Sequence, residues 1–163
     1  MNLHADVDPA AAAVLAELAV RGPLTSAQLQ VRLGKSQPTV SRLLRGLGTQ
    51  VVTLGQGRAT RYGKPQDILG LPAQQPIYFS DADSNTGHTH RWGTLTLLAG
   101  PRAPLVHVVG DGQTWLGEQL PWFMAGMRLQ GFLGRAWARS YPLQHLGGDP
   151  TIWSVAQQLF ALI

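Results

Sequence analysis

The side chains of this sequence best suited to chemistry lie between residues 35 and 61, and their types match the hydrogen-bonding edges of nucleic acid. Glutamine can pair with adenine through two hydrogen bonds and arginine with guanine, while serine and threonine adapt to either base. Lysine and arginine also neutralise phosphates. The candidate DNA-binding residues are Lys35, Ser36, Gln37, Thr39, Ser41, Arg42, Arg45, Arg58 and Arg61.

The positive charge is concentrated in the first part of the chain. The net charge is +4, but residues 1–66 hold eight Lys or Arg against three acids. Residues 67–163 hold five Arg against six acids. Every Lys, Arg, Asp or Glu from Arg21 to Lys64 is positive, which predicts a polyanionic partner such as double-stranded DNA. The alternative interpretation is a solubilising surface.

Other kinds of site find little support in the sequence. The absence of cysteine excludes disulfides, thiol catalysis and cysteine-ligated metals. His88 and His90 have a spacing that can bind metal on a strand, but no third ligand lies nearby, and we interpret them as surface residues. We therefore expect no catalytic residue, no metal and no cofactor.

Two helices are predicted before the basic cluster. Asp8 can cap the first helix, which ends at Gly22. The second helix begins at Thr25 or Ser26 and stops at Gly34, where glycine permits a sharp turn.

The third predicted helix carries most of the candidate residues. It begins at Ser36, closes at Gly46 and Gly48, and has the apolar stripe Val40, Leu43, Leu44 and Leu47. With the second helix it forms a helix-turn-helix. Residues 51–54 and 58–62 then predict a tight β-hairpin. Three helices followed by a basic hairpin are typical of a winged helix-turn-helix, whose third helix enters the major groove.

The second part of the chain predicts strands followed by helices. Residues 76–80, 90–98 and 105–109 predict strands, with turn-rich spacers such as residues 81–87, and residues 113–116 are a candidate fourth strand. Helical segments follow at residues 120–127 and 153–163.

The predicted fold class is α+β, with a winged helix-turn-helix ahead of a small antiparallel sheet and helices. We expect the first domain at residues 1–64 and the second at residues 76–163. Residues 65–75 are rich in Pro, Gly and Gln, which predicts a linker between the two.

Residues 35–48, KSQPTVSRLLRGLG, resemble the recognition-helix segments of winged-helix transcriptional regulators. The resemblance implies a DNA-binding regulator. Because winged helices usually act as dimers, it also implies a homodimer on two half-sites. A winged helix that serves as a protein-interaction module is the alternative.

Residues 120–139, LPWFMAGMRLQGFLGRAWAR, resemble the N-terminal region of HipA-like serine/threonine kinases, the kinases of certain bacterial toxin–antitoxin pairs. The branch of this family that carries a winged helix in front of the kinase fits best, because residues 90–98 and 148–160 match it in order and spacing. The resemblance implies that residues 76–163 are a non-catalytic subdomain. It also implies a kinase catalytic domain or an antitoxin as a further partner.

The sequence lacks the parts that phosphoryl transfer requires. A kinase needs a lysine on the phosphates, a base and groups that bind Mg²⁺. Lys35 and Lys64 are the only lysines, both in the basic part, and no HxDxxxxN-type loop is present. We therefore expect that this chain by itself is not an enzyme. The alternative is the front of a HipA-like kinase toxin whose catalytic domain lies beyond residue 163, and the apolar end LFALI favours a truncated chain.

The sequence also predicts a cytoplasmic protein without a membrane partner. No apolar run approaches the ~20 residues that a membrane-spanning helix requires. The first twenty residues contain no Lys or Arg, which does not fit a secretory signal.

Overall fold

The computed structural model describes residues 8–80, 88–101, 105–140 and 143–163. The chain divides into two units, each with its own core. The first unit runs to Pro65 and includes Leu98–Pro101, while the second contains Gln66–Leu97 and the C-terminal part of the chain. The turn predicted at residues 81–87 lies outside the described residues.

The first unit contains the three predicted helices. They are α1 (Pro9–Arg21), α2 (Ser26–Leu33) and α3 (Gln37–Leu47). Asp8 caps α1 by accepting a hydrogen bond from the Ala10 N–H at 2.9 Å, and Thr25 forms a capping box with Gln28 at the start of α2. Gly34 ends α2 with a φ of +60°, a conformation that glycine adopts without steric cost.

A three-stranded antiparallel sheet completes this unit. Its strands are β1 (Leu24–Thr25), β2 (Val52–Leu54) and β3 (Arg61–Gly63), in the order β1-β3-β2. The hairpin is wider than the predicted tight hairpin, because a 3₁₀ turn at Gly57–Ala59 lies between its strands. Arg58 consequently lies on this turn and not on a strand.

The apolar sides of the three helices form one core. Its buried residues are Val14, Leu18, Leu24, Leu29, Val40, Leu43, Leu44 and Leu47. The apolar stripe predicted for the third helix is buried in full, which confirms the rotation expected for α3.

The second unit is a four-stranded antiparallel sheet with helices. The strands are β4 (Gln74–Ser80), β5 (Thr89–Leu98), β6 (Leu105–Gly110) and β7 (Gln113–Gly117), in the order β4-β5-β6-β7. The fourth strand is therefore present. The helices are α4 (Trp122–Ala125), α5 (Gly131–Ala138) and α6 (Val155–Leu162). The helix predicted over residues 120–127 is only one turn long.

Residues 66–73 of the predicted linker are packed against the second unit. The Gln66 N–H donates to the Leu97 carbonyl at 3.0 Å, and the Leu97 N–H donates to the Ala73 carbonyl at 2.7 Å. Ile68 and Leu71 pack against the core formed by the sheet, α4 and α6. These contacts place the segment in the second unit and not in a free connection, because its apolar side chains find partners there. The boundaries at residues 64 and 76 stay predictions.

Helix α5 packs with its small residues inward. Gly134 and Ala138 are buried, and a Cβ on Gly134 would lie 2.9 Å from the Leu129 carbonyl carbon. Phe132, Leu133 and Trp137 are exposed by 78%, 79% and 60%. The described residues therefore leave the bulky apolar face of α5 uncovered.

In the described part of the chain, no helix is both long and apolar enough to cross a membrane.

His107 is a buried titratable residue on β6, an inner strand of the four-stranded sheet. It is 2% exposed, and its Nε2 has no hydrogen-bond partner among the described residues. Burial lowers the pKa of His107 below its ordinary value of 6.5, because the charged imidazolium would lose its water without a compensating partner.

We predict that the free energy of unfolding falls as the pH decreases below 6.5. The unfolded chain binds a proton at His107 more readily than the folded chain. The contribution of neutral His107 to the free energy of unfolding is therefore complete above pH 6.5 and is lost as the pH falls through the lower pKa of the folded state. Urea denaturation between about pH 7.5 and about pH 5 measures this. His107→Leu should flatten the dependence, because it removes the buried imidazole. Equal pH dependence in wild type and His107→Leu would contradict the prediction.

Candidate nucleic-acid interface

Helix α3 presents a polar face opposite its buried stripe. At about 100° per residue, five positions fall within an arc of about 140° on the outer side of the helix. They are Gln37, Pro38, Ser41, Arg42 and Arg45, all exposed except the half-buried Ser41. The structure therefore brings four of the candidate residues together on one surface, and the buried stripe fixes their orientation.

Hydrogen bonds organise the beginning of this face. Gln37 Nε2 donates to Ser41 Oγ at 3.4 Å, one helical turn away. Ser36 Oγ lies 3.0 Å from Thr39 Oγ1, and the Ser36 side chain makes no capping hydrogen bond to α3. Thr39 is half-buried at the border of the face. Gln37 keeps its second amide N–H and its carbonyl oxygen, the donor and acceptor that adenine recognition requires.

Two of the eight basic residues have a counter-charge that the sequence pattern did not reveal. Arg21 Nε lies 3.0 Å from Glu17 Oε2, and Arg32 Nε lies 3.8 Å from the same oxygen. Glu17 precedes the acid-free stretch, but helical spacing brings it to Arg21, and helix packing brings it to Arg32. The absence of acids between Arg21 and Lys64 in the sequence therefore does not leave these two cations unpaired.

The positively charged candidate residues remain able to bind an external anion. Within the described ranges, no carboxylate lies within 4.0 Å of Lys35, Arg42, Arg45, Arg58 or Arg61. Lys35 is exposed between α2 and α3, and Arg58 is exposed on the hairpin turn. Arg61 is exposed on β3, next to Tyr62. Because successive strand residues project to opposite faces, Arg61 points away from the side of the hairpin that Tyr62 occupies.

A polar concavity of about 380 Å³ lies between α3 and the hairpin. It is lined by Ser41, Leu44, Arg45, Gly48, Val51, Thr53 and Tyr62. Thr53 and Tyr62 are directly opposite each other on β2 and β3. Neither residue is among the candidates predicted from the sequence. Their pairing depends on the 3₁₀ turn at Gly57–Ala59, and their proximity to α3 is a tertiary feature, so sequence spacing could not reveal them.

The two histidines with metal-binding spacing lie in the second unit. His88 and His90 are exposed near the start of β5. Among the residues that the structure describes, no group of three or more His, Asp or Glu is placed to hold a metal ion.

Comparisons with known proteins match both parts of the chain. Residues 71–163 match the family described as YjjJ-like toxin, middle domain, and residues 5–50 match the MarR family. Toxin YjjJ of Escherichia coli (strain K12) is 34% identical over 149 residues, which cover 91% of this chain and 32% of that protein. The chain therefore spans about a third of the length of this curated relative. No solved structure matches.

The two family matches follow the two parts of the fold. The MarR match covers α1, α2 and α3, and the toxin match covers the four-stranded sheet and the helices after it. They confirm the resemblance to HipA-like proteins that carry a winged helix in front. The chain belongs to the HipA-related YjjJ-like toxin family, and its N-terminal part is a winged helix-turn-helix of MarR type.

Proposed function

We propose that the first unit binds double-stranded DNA, with α3 in the major groove. The observation that carries the proposal is the outer face of α3, where Gln37, Arg42 and Arg45 are exposed together. Neither arginine has a carboxylate within 4.0 Å among the described residues. The MarR match supports the proposal, and so does the general use of the second helix of a helix-turn-helix to contact base edges.

The candidate residues divide into two roles under this proposal. Base edges are contacted by Gln37, Thr39, Ser41 and Arg42, because their side chains offer the donors and acceptors that bases recognise. Phosphates are contacted by Lys35, Ser36, Arg45, Arg58 and Arg61. Base contacts set the sequence preference, while phosphate contacts position the protein on the duplex.

We further propose that the protein acts in the cytoplasm as a homodimeric transcriptional regulator. A dimer would place two copies of α3 on two half-sites. Sedimentation equilibrium with and without the duplex tests this stoichiometry. The proposal requires two chains on each operator, and one chain on a saturated duplex contradicts it.

The salt dependence of duplex affinity tests the proposed DNA binding. The four cations assigned to phosphates, Lys35, Arg45, Arg58 and Arg61, should each neutralise one phosphate and give a log–log slope of about −3.6 per chain, from about −0.9 per phosphate. Fluorescence anisotropy of a labelled duplex at several salt concentrations measures the slope. Arg21→Met is the matched control, because Arg21 is already paired with Glu17 and its loss should leave the slope unchanged. A flat dependence, or no binding at low salt, contradicts the proposal.

Arginine variants separate base contacts from phosphate contacts. Arg42→Ala should relax the preference for the best duplex by roughly 1–3 kcal/mol, because one bidentate contact to a base is lost. Arg58→Ala should weaken binding to all sequences alike. Competition between a selected duplex and a scrambled duplex measures both effects. If Arg42→Ala and Arg45→Ala leave DNA affinity unchanged, the first unit is better explained as a protein-interaction module.

A second candidate function is the front part of a HipA-related kinase toxin. Two observations favour it: the chain covers 32% of Toxin YjjJ, and α5 exposes a bulky apolar face that includes Phe132 and Trp137. Such a face is typical of a contact surface, which a kinase catalytic domain or an antitoxin would cover. The catalytic portion is not covered by this chain. A reading frame that continues past residue 163 into a glycine-rich loop and a catalytic Asp supports this candidate. A stop codon there contradicts it.

A further inference from the structure

We propose that the concavity between α3 and the hairpin is a phosphate-binding cleft, in which Arg45, Thr53 and Tyr62 hold one backbone phosphate of duplex DNA. The inference rests on the proposed DNA binding and extends it. Thr53 and Tyr62 are not among the candidate residues that the sequence predicted. Under this proposal, Arg45, Thr53 and Tyr62 all contact the same phosphate of the duplex.

The chemistry of the cleft selects an anion. The polar side chains that line it are three hydroxyls, on Ser41, Thr53 and Tyr62, and the guanidinium of Arg45. No carboxylate and no imidazole occurs among these described lining residues. Hydroxyls can donate hydrogen bonds, and the guanidinium donates them while carrying a positive charge. A phosphate, whose charged oxygens accept several hydrogen bonds at once, fits this set.

The donors are carried by ordered elements. Tyr62 is half-buried and packs against the core of the three helices. Thr53 lies opposite Tyr62 in the antiparallel register, so their Cβ atoms are about 5 Å apart on one face of the hairpin. Ser41 and Arg45 follow each other by one turn of α3. Because these positions are set before binding, a ligand loses less entropy than it would on a flexible loop.

The cleft also lies where a DNA strand would pass. Ser41 and Arg45 line the cleft and belong to the outer face of α3. A helix in the major groove, which is about 12 Å wide, has a phosphate backbone along each flank. A phosphate held beside α3 would fix the depth and register of Gln37 and Arg42 without reading sequence itself.

A free phosphate ion would suit the same donors, and we assign the cleft to DNA for two reasons. Arg45 is the cation among the described lining residues, so the cleft offers little charge for a small dianion. Ser41 and Arg45 belong both to the cleft and to the outer face of α3. The cleft therefore adjoins the surface whose other candidate cations would contact the same polyanion.

The experiment removes single hydroxyls without changing shape. Tyr62→Phe and Thr53→Val should each weaken duplex binding about tenfold on all sequences alike, the loss expected for one hydrogen bond to a charged group. The salt slope should stay unchanged in both, because no charge is removed. Arg45→Met should reduce the slope by about 0.9. The matched controls are Tyr78→Phe and Thr49→Val, which remove the same groups outside the cleft and should leave affinity unchanged.

The outcomes separate this inference from the proposed function. Wild-type affinity in folded Tyr62→Phe and Thr53→Val overturns the cleft and leaves DNA binding intact. Absence of duplex binding by the wild-type chain overturns both. A parallel titration with inorganic phosphate distinguishes the two sources of phosphate. If Tyr62→Phe abolishes binding of inorganic phosphate and leaves duplex affinity unchanged, the assignment to DNA is overturned; a tenfold loss for the duplex supports it.

Discussion

The first unit depends on the burial of the apolar stripe of α3. Val40, Leu43, Leu44 and Leu47 are at most 9% exposed and pack against α1 and α2. Each such side chain contributes roughly 1.5–3 kcal/mol on burial. A hydrogen bond such as that from Gln37 to Ser41 contributes about 0.5–1.5 kcal/mol. The stripe therefore decides the rotation of α3, and the polar residues occupy whatever face remains outside.

The distribution of charge follows from this packing. Glu17 forms ion pairs with Arg21 on α1 and Arg32 on α2. Their charge is therefore partly compensated, and no DNA contact is proposed for either residue. Lys35, Arg42, Arg45 and Arg58 have no such partner in the described residues. These cations lie on or next to α3 and on the hairpin turn, the side that a polyanion would approach under the proposed function.

Local signals were sufficient to predict most of the fold. Caps at Asp8 and Thr25, the left-handed Gly34 and the period of the α3 stripe act over a few residues, and the structure has them where expected. Features that depend on distant contacts were missed. Strand β1 has two residues and exists only because it pairs with β3. Likewise, the cleft requires α3 and the hairpin to be folded together, so sequence spacing could not reveal Thr53 and Tyr62.

Helix α5 is a second feature whose packing could not be predicted from the sequence. A segment rich in Phe, Leu and Trp favours a core position by composition. The structure buries Gly134 and Ala138 instead, because the close approach to Leu129 leaves no room for a side chain at Gly134. Which face of a short helix is buried depends on such tertiary contacts. Composition alone therefore could not predict the exposed apolar face.

Mapping the surface that contacts DNA tests the central claim most directly. Backbone amide shifts of the isotope-labelled chain can be followed by NMR during titration with a selected duplex. The account predicts the largest changes in α3 and the hairpin, from Ser36 to Arg45 and from Thr53 to Tyr62. Changes confined to the second unit, or changes in the first unit that avoid the outer face of α3, would contradict it.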